Sequence, residues 1–271
     1  MRFQQDEMNR NKLRYMLDNK IPTMGTRISS TWPLITEALG TTGMFDYVEY
    51  LAEYAPFNQV DLENLARVCE QYDMACEIKL DFQDKAYVSQ KAMASGFQGI
   101  LFTDHKTPEE VKESIFVTTA DTPAEPGRLG YPGRRWIGYN YDKRQLSYAK
   151  MVKDTVRMFM IEKVQAVENI EAICQIPGVD VVQWGPSDYS LSRGWNMVEH
   201  LDELKEIERH IIKVAQKYGV HARAEINSPE EAEYYLKLGV IDFCMGAELR
   251  NNMQFWTNEG KKLRDILAEV K

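Results

Sequence analysis

The chain has 271 residues, of which 44% are apolar and 27% charged, and it carries a net charge of −8 with a pI near 5.2. This composition supplies enough apolar side chains for a core, and an acidic balance without a Lys/Arg cluster argues against a nucleic-acid partner. The first twenty residues lack the apolar centre of a signal peptide, and no run approaches the length of a membrane span, so we expect a cytoplasmic protein without a membrane contact.

Eight short β-type runs recur along the chain at intervals too long for hairpins. They cover residues 23–28, 45–51, 75–80, 99–103, 157–162, 179–185, 221–226 and 242–246. The segments between them are helical in pattern, and residues 163–178 read as one helix. Thr107 and Ser228 are each followed by a proline and two glutamates, which is typical of a helix start.

This alternation predicts an α/β fold in which eight parallel strands close into a (β/α)8 TIM barrel, forming a single domain over residues 1–271. A doubly wound open sheet is the alternative, but the sequence has no Gly-rich dinucleotide fingerprint. We expect an N-terminal helix within residues 1–20. An extra C-terminal helix over residues 251–271 would either cap the barrel or reach another subunit.

Cys69, Cys76, Cys174 and Cys244 lack the C-x-x-C spacing of zinc or redox sites. They lie within apolar stretches, and we expect them to be buried free thiols.

Two carboxylates follow strongly apolar strands. Glu162 ends the run "RMFMIE", and Asp188 follows "VDVVQWG" in "PSD". Parallel strands with a helical crossover bring both residues to the same barrel edge, where two hard oxygen ligands suit Mg²⁺ or Mn²⁺. The alternative is that they pair with Lys or Arg, or that Asp188 caps the next turn. Position at a strand end also nominates further polar residues: Glu53, Lys79, Asp81, Asp104, His105, Glu225 and Asn227.

Residues 121–141 form a long loop rich in Pro and Gly, and loops of this length are usually functional or lids. Arg128, Arg134 or Arg135 could receive the distal end of a substrate, although solvated loop charge explains them equally well. Arg27, which ends the first strand, is a further candidate for binding a carboxylate.

The segment "IEKVQAVENIEAICQIPGVDVVQWGPSDYSLSRG" resembles a stretch of the HpcH/HpaI aldolase family that ends in a GPxDLSxxxG motif. Upstream, "EYAPFNQVDLENLARVCE" is similar to the family's E-H-A-P segment, "EIKL" to its V-R-P strand end, and the long loop to its RGxG region. The likeness extends over most of residues 20–250.

The resemblance implies a metal-dependent class II aldolase, in which Glu162 and Asp188 hold Mg²⁺ or Mn²⁺, with Co²⁺ as a further candidate. Such an enzyme cleaves a hydroxylated 2-oxo acid into pyruvate and an aldehyde through a metal-stabilised enolate. Gly185, Pro186 and Ser187 would lie against the pyruvyl end. Family barrels associate through C-terminal helices, which implies a homo-oligomer, a trimer or a hexamer.

Two residues depart from the family pattern. Tyr54 stands where the family has His, and a phenol is a poor base at neutral pH; Lys79 stands where the family has Arg, and it lacks the planar fork. Lys79 could supply a point charge, act as a base or form a Schiff base, and His105 could transfer protons instead. Glu53 could orient a metal-bound water.

The departures leave two alternatives to an aldolase. A 2-oxo acid decarboxylase or related lyase would use the same enolate without an aldol base. A noncatalytic binding protein on the same barrel belongs to a different class, and the presence of both Glu162 and Asp188 argues against it.

Overall fold

The computed structural model of the chain describes residues 11–139 and 144–270. Eight parallel strands, β1 to β8, pair in sequence order, and β8 returns to β1 to close the barrel. The strands are Thr23–Ile28, Tyr47–Leu51, Ala75–Leu80, Gly99–Phe102, Val156–Ile161, Val181–Trp184, His221–Ile226 and Asp242–Ala247. The predicted (β/α)8 barrel is therefore confirmed, and each predicted strand overlaps an observed one.

Helices surround the barrel and run between successive strands, as the apolar periodicity predicts. Helices α1 to α12 are Lys12–Asp18, Pro33–Thr42, Gln59–Gln71, Lys85–Ser95, Pro108–Val117, Gln145–Lys153, Val164–Glu168, Ile170–Cys174, Pro186–Arg193, Leu201–Lys217, Ala232–Lys237 and Glu248–Ala268. Short 3-10 helices cover Arg135–Ile137, Met197–Glu199 and Pro229–Glu231. None of the described helices has the length and apolar character that crossing a membrane requires.

The helices differ from the sequence prediction in four places. Residues 163–178 hold two short helices, because Asn169 ends α7 and begins α8. We predicted no separate helix at the positions of α6 and α9, and α9 begins at Pro186. Thr107 caps α5 by a capping box, as predicted, whereas Ser228 precedes a 3-10 turn and makes no side-chain cap.

Helix α1 closes the amino-terminal end of the barrel. Its Leu13 and Leu17 join the cluster of side chains that fills the interior, which includes Tyr47 and Leu101. Arg14 fixes the helix in place, because its Nη2 lies 2.6 Å from Asp180 Oδ2 beside the start of β6. In the described part of the chain, the barrel interior is therefore packed at the amino-terminal end and open at the carboxyl ends of the strands.

The four cysteines are buried and free, as the sequence predicts. The C-terminal helix α12 leads away from β8, and all of its residues beyond Glu248 are exposed. Its exposed apolar side chains are Leu249, Met253, Phe255, Trp256, Leu263, Ile266 and Leu267.

Candidate active site

The strand register places charged side chains in the middle of the barrel interior. Arg223 on β7 is almost completely buried, and its guanidinium donates to Glu49 Oε2 at 2.5 Å and to Glu77 Oε1 at 2.7 Å. Gln183 accepts a further bond from Arg223 Nε. Burial raises the pKa of Glu77 well above its usual value, with the opposing charge of Arg223 too weak to prevent it. This network forms the floor beneath the open end of the barrel.

Glu162 directly follows the last residue of β5. It is buried, with 1% of its surface exposed. Its Oε1 accepts a hydrogen bond of 2.8 Å from the backbone N–H of Asp104. Within residues 11–139 and 144–270, no Lys or Arg pairs directly with this carboxylate, because the neighbouring Lys79 and Lys163 pair with other acids. Burial raises the pKa of Glu162 to about 7, against the opposing charge of Lys79. A buried carboxylate in this state favours a nearby cation.

Asp188 lies in the first turn of α9, after the sixth strand, and its side chain is 39% exposed. Its negative charge contributes to the raised pKa of Glu162, so the two carboxylates interact. Lys163 Nζ is 4.0 Å from Asp188 Oδ1 and 2.6 Å from Asp104 Oδ1. Lys163 therefore pairs closely with Asp104, and its contact with Asp188 is long for an ion pair.

Gly185 allows the close approach of the two carboxylate-bearing segments. A Cβ at this position would lie 2.6 Å from Glu162 Cβ, and therefore no larger residue fits without displacing Glu162. Pro186 begins α9, and Ser187 Oγ lies 3.6 Å from Met197 Sδ.

The Glu162 and Asp188 pair fits a hard divalent cation, because both groups offer carboxylate oxygens and Glu162 has unmet charge. Among the described residues, no group of three or more His, Cys, Asp and Glu side chains could hold a metal by itself. An ion held here would therefore take its remaining ligands from substrate and water.

Lys79 lies between Glu53 and Glu162 at the end of β3. Its Nζ is 2.7 Å from Glu53 Oε2, and both side chains are largely buried. Burial alone would lower the pKa of Lys79, but the Glu53 and Glu162 carboxylates outweigh it and raise that pKa. Lys79 is therefore a cation at neutral pH, which does not agree with a role as a base or as a Schiff-base nucleophile.

Tyr54 is 84% exposed at the rim. The adjacent Glu53 carboxylate is the main cause of a raised pKa for the Tyr54 phenol. The phenol is thus an even poorer base than its residue type suggests.

Arg27 projects into the open end from β1. Its Nη1 lies 2.5 Å from Glu225 Oε1, and its Nε donates to the carbonyl of Gly246 at 3.0 Å. Arg27 thus reaches the site as predicted, but a protein carboxylate already binds it.

His105 is poorly placed for the proton transfer that we predicted from its position at the strand end. Its ring is buried against Phe82, Phe102 and Phe159, its Nδ1 lies 2.7 Å from the Thr103 carbonyl, and its Nε2 lies 2.6 Å from Ser114 Oγ on α5. Both nitrogens are thus occupied, and burial lowers the pKa of His105 to about 4. The ring anchors α5 to the barrel.

The position of Arg128 and Arg135 does not support the predicted contact with substrate, because the described part of their loop starts at the closed end of the barrel. The Arg128 amide donates to the Phe116 and Thr119 carbonyls at the end of α5. Arg135 donates to the Ser95 carbonyl at the end of α4 and pairs with Glu70 at 2.8 Å. Arg134 pairs with Glu63 on α3. Residues 140 and 141 of the predicted loop lie outside the described residues.

Sequence reasoning missed the Arg223 network and the Asp104–Lys163 pair. The signal for the network was present: Glu49, Glu77 and Arg223 are charged residues inside predicted strands, and each has an apolar residue on both sides in the sequence. Asp104 was nominated only by its position, and no pattern indicated that its amide would bind Glu162.

The sequence of the chain is similar to that of known aldolases. The family model described as HpcH/HpaI aldolase/citrate lyase matches residues 64–244. A 5-keto-4-deoxy-D-glucarate aldolase of Shigella boydii is 24% identical over 245 residues, which cover 88% of this chain and 91% of that protein. A Klebsiella pneumoniae protein of the same name is 24% identical over 217 residues, covering 80% of this chain and 82% of that protein.

Solved structures share the fold. Macrophomate synthase superposes with a TM-score of 0.85 at 18% identity, covering 96% of this chain and 91% of that one. An HpcH/HpaI aldolase from Desulfitobacterium hafniense superposes with a TM-score of 0.81 at 20% identity, covering 93% and 95% of the two chains.

Proposed function

Because the chain belongs to the HpcH/HpaI aldolase/citrate lyase family, we propose that it cleaves a hydroxylated 2-oxo acid into pyruvate and an aldehyde. The observation that carries the proposal is the buried Glu162 carboxylate, which accepts a hydrogen bond of 2.8 Å from the Asp104 amide and interacts with the charges of Lys79 and Asp188. In this reaction the C3–C4 bond breaks, and its electron pair stays on the pyruvyl fragment. The C4 hydroxyl loses its proton, and C3 gains a proton to become the pyruvate methyl group.

Glu162 and Asp188 would hold the divalent ion, with Mg²⁺ or Mn²⁺ favoured by oxygen ligands and Co²⁺ as a further candidate. When bound, the ion supplies positive charge to the carboxylate and keto oxygens of the 2-oxo acid. Gly185 keeps this space free of side-chain atoms, so the pyruvyl end can approach Glu162 closely.

Lys79 supplies a second positive charge. Its ammonium is held by Glu53 at 2.7 Å and also interacts with Glu162, so it lies next to the proposed reacting centre. A preorganised cation in a poorly solvated site stabilises negative charge that develops on a carbonyl oxygen. Lys79 thus takes the electrostatic part of an arginine's role without its bidentate geometry.

Glu53 is the side chain we propose for handling the hydroxyl proton. It lines the open pocket, it is largely buried, and one of its oxygens binds Lys79. Its carboxylate could orient a water that accepts the proton, as general-base chemistry requires. Tyr54 and His105 are poorly placed for this role, since the first is exposed and both ring nitrogens of the second are occupied.

Among the residues that the structure describes, Tyr54 and His105 are both poorly placed as bases, and this favours one second candidate, the decarboxylation of a 2-oxo acid. That reaction develops the same negative charge near Lys79, but no hydroxyl has to lose a proton. A noncatalytic binding protein is the third reading, and activity measurements separate all three.

We also propose that the protein is a cytoplasmic homo-oligomer, a trimer or a hexamer. The support for assembly is α12, on which Phe255, Trp256 and Ile266 are each more than half exposed. Light scattering should give a multiple of the 31.4 kDa chain mass. Ile266→Glu should dissociate the assembly, whereas Lys262→Glu on the same helix should not. A monomeric wild-type protein would refute this proposal.

The decisive experiment uses purified protein with Mg²⁺, Mn²⁺ or Co²⁺ and follows deuterium exchange into the pyruvate methyl group by proton NMR. Cleavage of 4-hydroxy-2-oxo acids and decarboxylation of oxaloacetate are then measured in parallel. Exchange with aldol cleavage supports the proposal, whereas exchange with decarboxylation alone supports the second candidate. The absence of exchange with every metal would leave only the binding protein.

Glu162→Gln tests the ligand assignment independently of activity. It should abolish Mn²⁺ binding measured by calorimetry or by electron paramagnetic resonance. Glu171→Gln is the matched control, because Glu171 is a surface residue that pairs with Lys217 on the outer helices.

A further inference from the structure

A pocket of about 190 Å³ opens at the carboxyl ends of β1, β2, β3 and β7. Its charged lining consists of Arg27, Glu49, Glu53, Lys79 and Glu225. One water occupies about 30 Å³ in the liquid, so this mouth pocket has room for roughly six waters, or for a short carbon chain with its hydroxyl groups.

The mouth pocket adjoins the proposed reacting centre through Lys79. Lys79 belongs to the pocket lining, and its charge also acts on Glu162, on the far side of the open end. A 2-oxo acid whose pyruvyl end lies at Glu162 would therefore direct its distal carbons toward Arg27 and Glu225.

Each cation of the mouth pocket is already neutralised by an acid of the protein. Arg27 lies 2.5 Å from Glu225 and also donates to the Gly246 carbonyl. Lys79 lies 2.7 Å from Glu53. Beneath them, Glu49 is paired with the buried Arg223. The lining therefore has no spare positive charge for an anionic group.

A second carboxylate on the substrate would meet Glu225, Glu53 and Glu49, and it could reach Arg27 only by displacing Glu225. Breaking a partly buried ion pair and placing two like charges together are both unfavourable. Hydroxyl groups avoid this conflict because they donate to the carboxylate oxygens and accept from Arg27 and Lys79.

We propose that the mouth pocket binds the distal part of the substrate and selects an uncharged, hydroxyl-bearing chain over one that ends in a second carboxylate. The inference rests on the proposed 2-oxo acid cleavage and adds the substrate class. Glu225 is the specificity-determining residue, since it occupies the guanidinium that would otherwise bind an acid.

The test compares two 4-hydroxy-2-oxo acids of equal chain length, one ending in a primary alcohol and one in a carboxylate. We expect kcat/KM to favour the alcohol by about tenfold or more, because the diacid must either displace Glu225 from Arg27 or lie beside its like charge. Glu225→Gln frees Arg27, and it should move the ratio toward the diacid by about tenfold, mainly through a lower KM. Glu233→Gln, an equal charge change at an exposed position of α11, should leave the ratio unchanged.

The outcomes separate the two proposals. If neither compound is cleaved and pyruvate shows no exchange, the proposed function is wrong. If both are cleaved and the diacid is equal or preferred in the wild type, the pocket assignment is wrong while the function stands. The wild-type ratio decides the matter without the variant, should Glu225→Gln fail to fold.

Discussion

The backbone N–H of Asp104 donates a hydrogen bond of 2.8 Å to Glu162 Oε1, and Asp104 adopts a φ of +63° in that position. Non-glycine residues seldom adopt this conformation, although Asp and Asn tolerate it better than most. The strained turn thus orients a carboxylate that we propose as a metal ligand.

Substitutions at Asp104 should separate its backbone from its side chain. Asp104→Val disfavours positive φ by about 1–3 kcal/mol, so we expect Mn²⁺ affinity to fall about tenfold. Asp104→Gly adopts the same backbone readily and should bind Mn²⁺ more tightly than Asp104→Val does. Calorimetric titration of the metal-free protein measures both, and equal affinities for the two variants would show that the turn does not orient Glu162.

Lys163 adds a positive charge beside the proposed ligands, since its Nζ lies 2.6 Å from Asp104 and 4.0 Å from Asp188. This ammonium should repel a divalent ion at the same carboxylates. Removing it in Lys163→Met should raise Mn²⁺ affinity in the absence of substrate about fivefold. Lys163→Arg retains the charge and serves as the control. A weaker ion affinity in Lys163→Met would show instead that the lysine holds Asp188 in place.

The buried His105 should make stability depend on pH. Its folded pKa of about 4 lies below the ordinary value near 6.5, so between these values the unfolded chain binds a proton that the folded chain does not. The stabilisation is therefore present above pH 6.5 and is lost as the pH falls toward 4, by about 3 kcal/mol.

Urea unfolding at several pH values measures this effect as a difference between wild type and His105→Gln. The variant lacks the titration, so its loss of stability between pH 6.5 and 4 should be smaller than that of the wild type. Parallel curves for the two proteins would mean that the ring remains accessible to protons in the folded state.

Arg223 neutralises the acids in the barrel floor, and its loss should be costly. Arg223→Met leaves Glu49 and Glu77 buried without a cation, and we expect the free energy of unfolding to fall by about 3–5 kcal/mol. Combining it with Glu49→Leu and Glu77→Leu should recover most of that loss, because an apolar replacement removes the desolvation penalty. Urea denaturation measures both, and a cost below about 1 kcal/mol for the single change would contradict a tightly coupled network.

The fold was predictable because two sequence periods, one for strands and one for helices, alternate eight times along the chain. Strand positions such as 75–80 and 221–226 agree with the structure. The helix over 163–178 was overestimated because apolar spacing continues through Asn169, where the backbone ends one helix and starts another.

The site was predictable only where it depends on strand ends. Parallel strands place Lys79, Glu162 and Arg27 around one opening, and the structure finds them there. The alternation of apolar and polar residues does not encode which way a side chain turns after its strand ends, so it did not indicate that the His105 ring packs toward α5. The end of the barrel at which a loop lies depends on the helix before it, and Arg135 follows α5 to the closed end.

The position of helix α1 restricts how the products of the proposed reaction can leave the barrel. Leu13 and Leu17 fill the amino-terminal end of the barrel, so within residues 11–139 and 144–270 the interior is reached from the carboxyl ends of the strands. Under the proposed cleavage, the aldehyde should depart first, because the mouth pocket that would hold it opens at the carboxyl ends of the strands, whereas Glu162 beside the pyruvyl end is buried. In the reverse condensation, pyruvate would then bind before the aldehyde. Product-inhibition kinetics can measure this binding order.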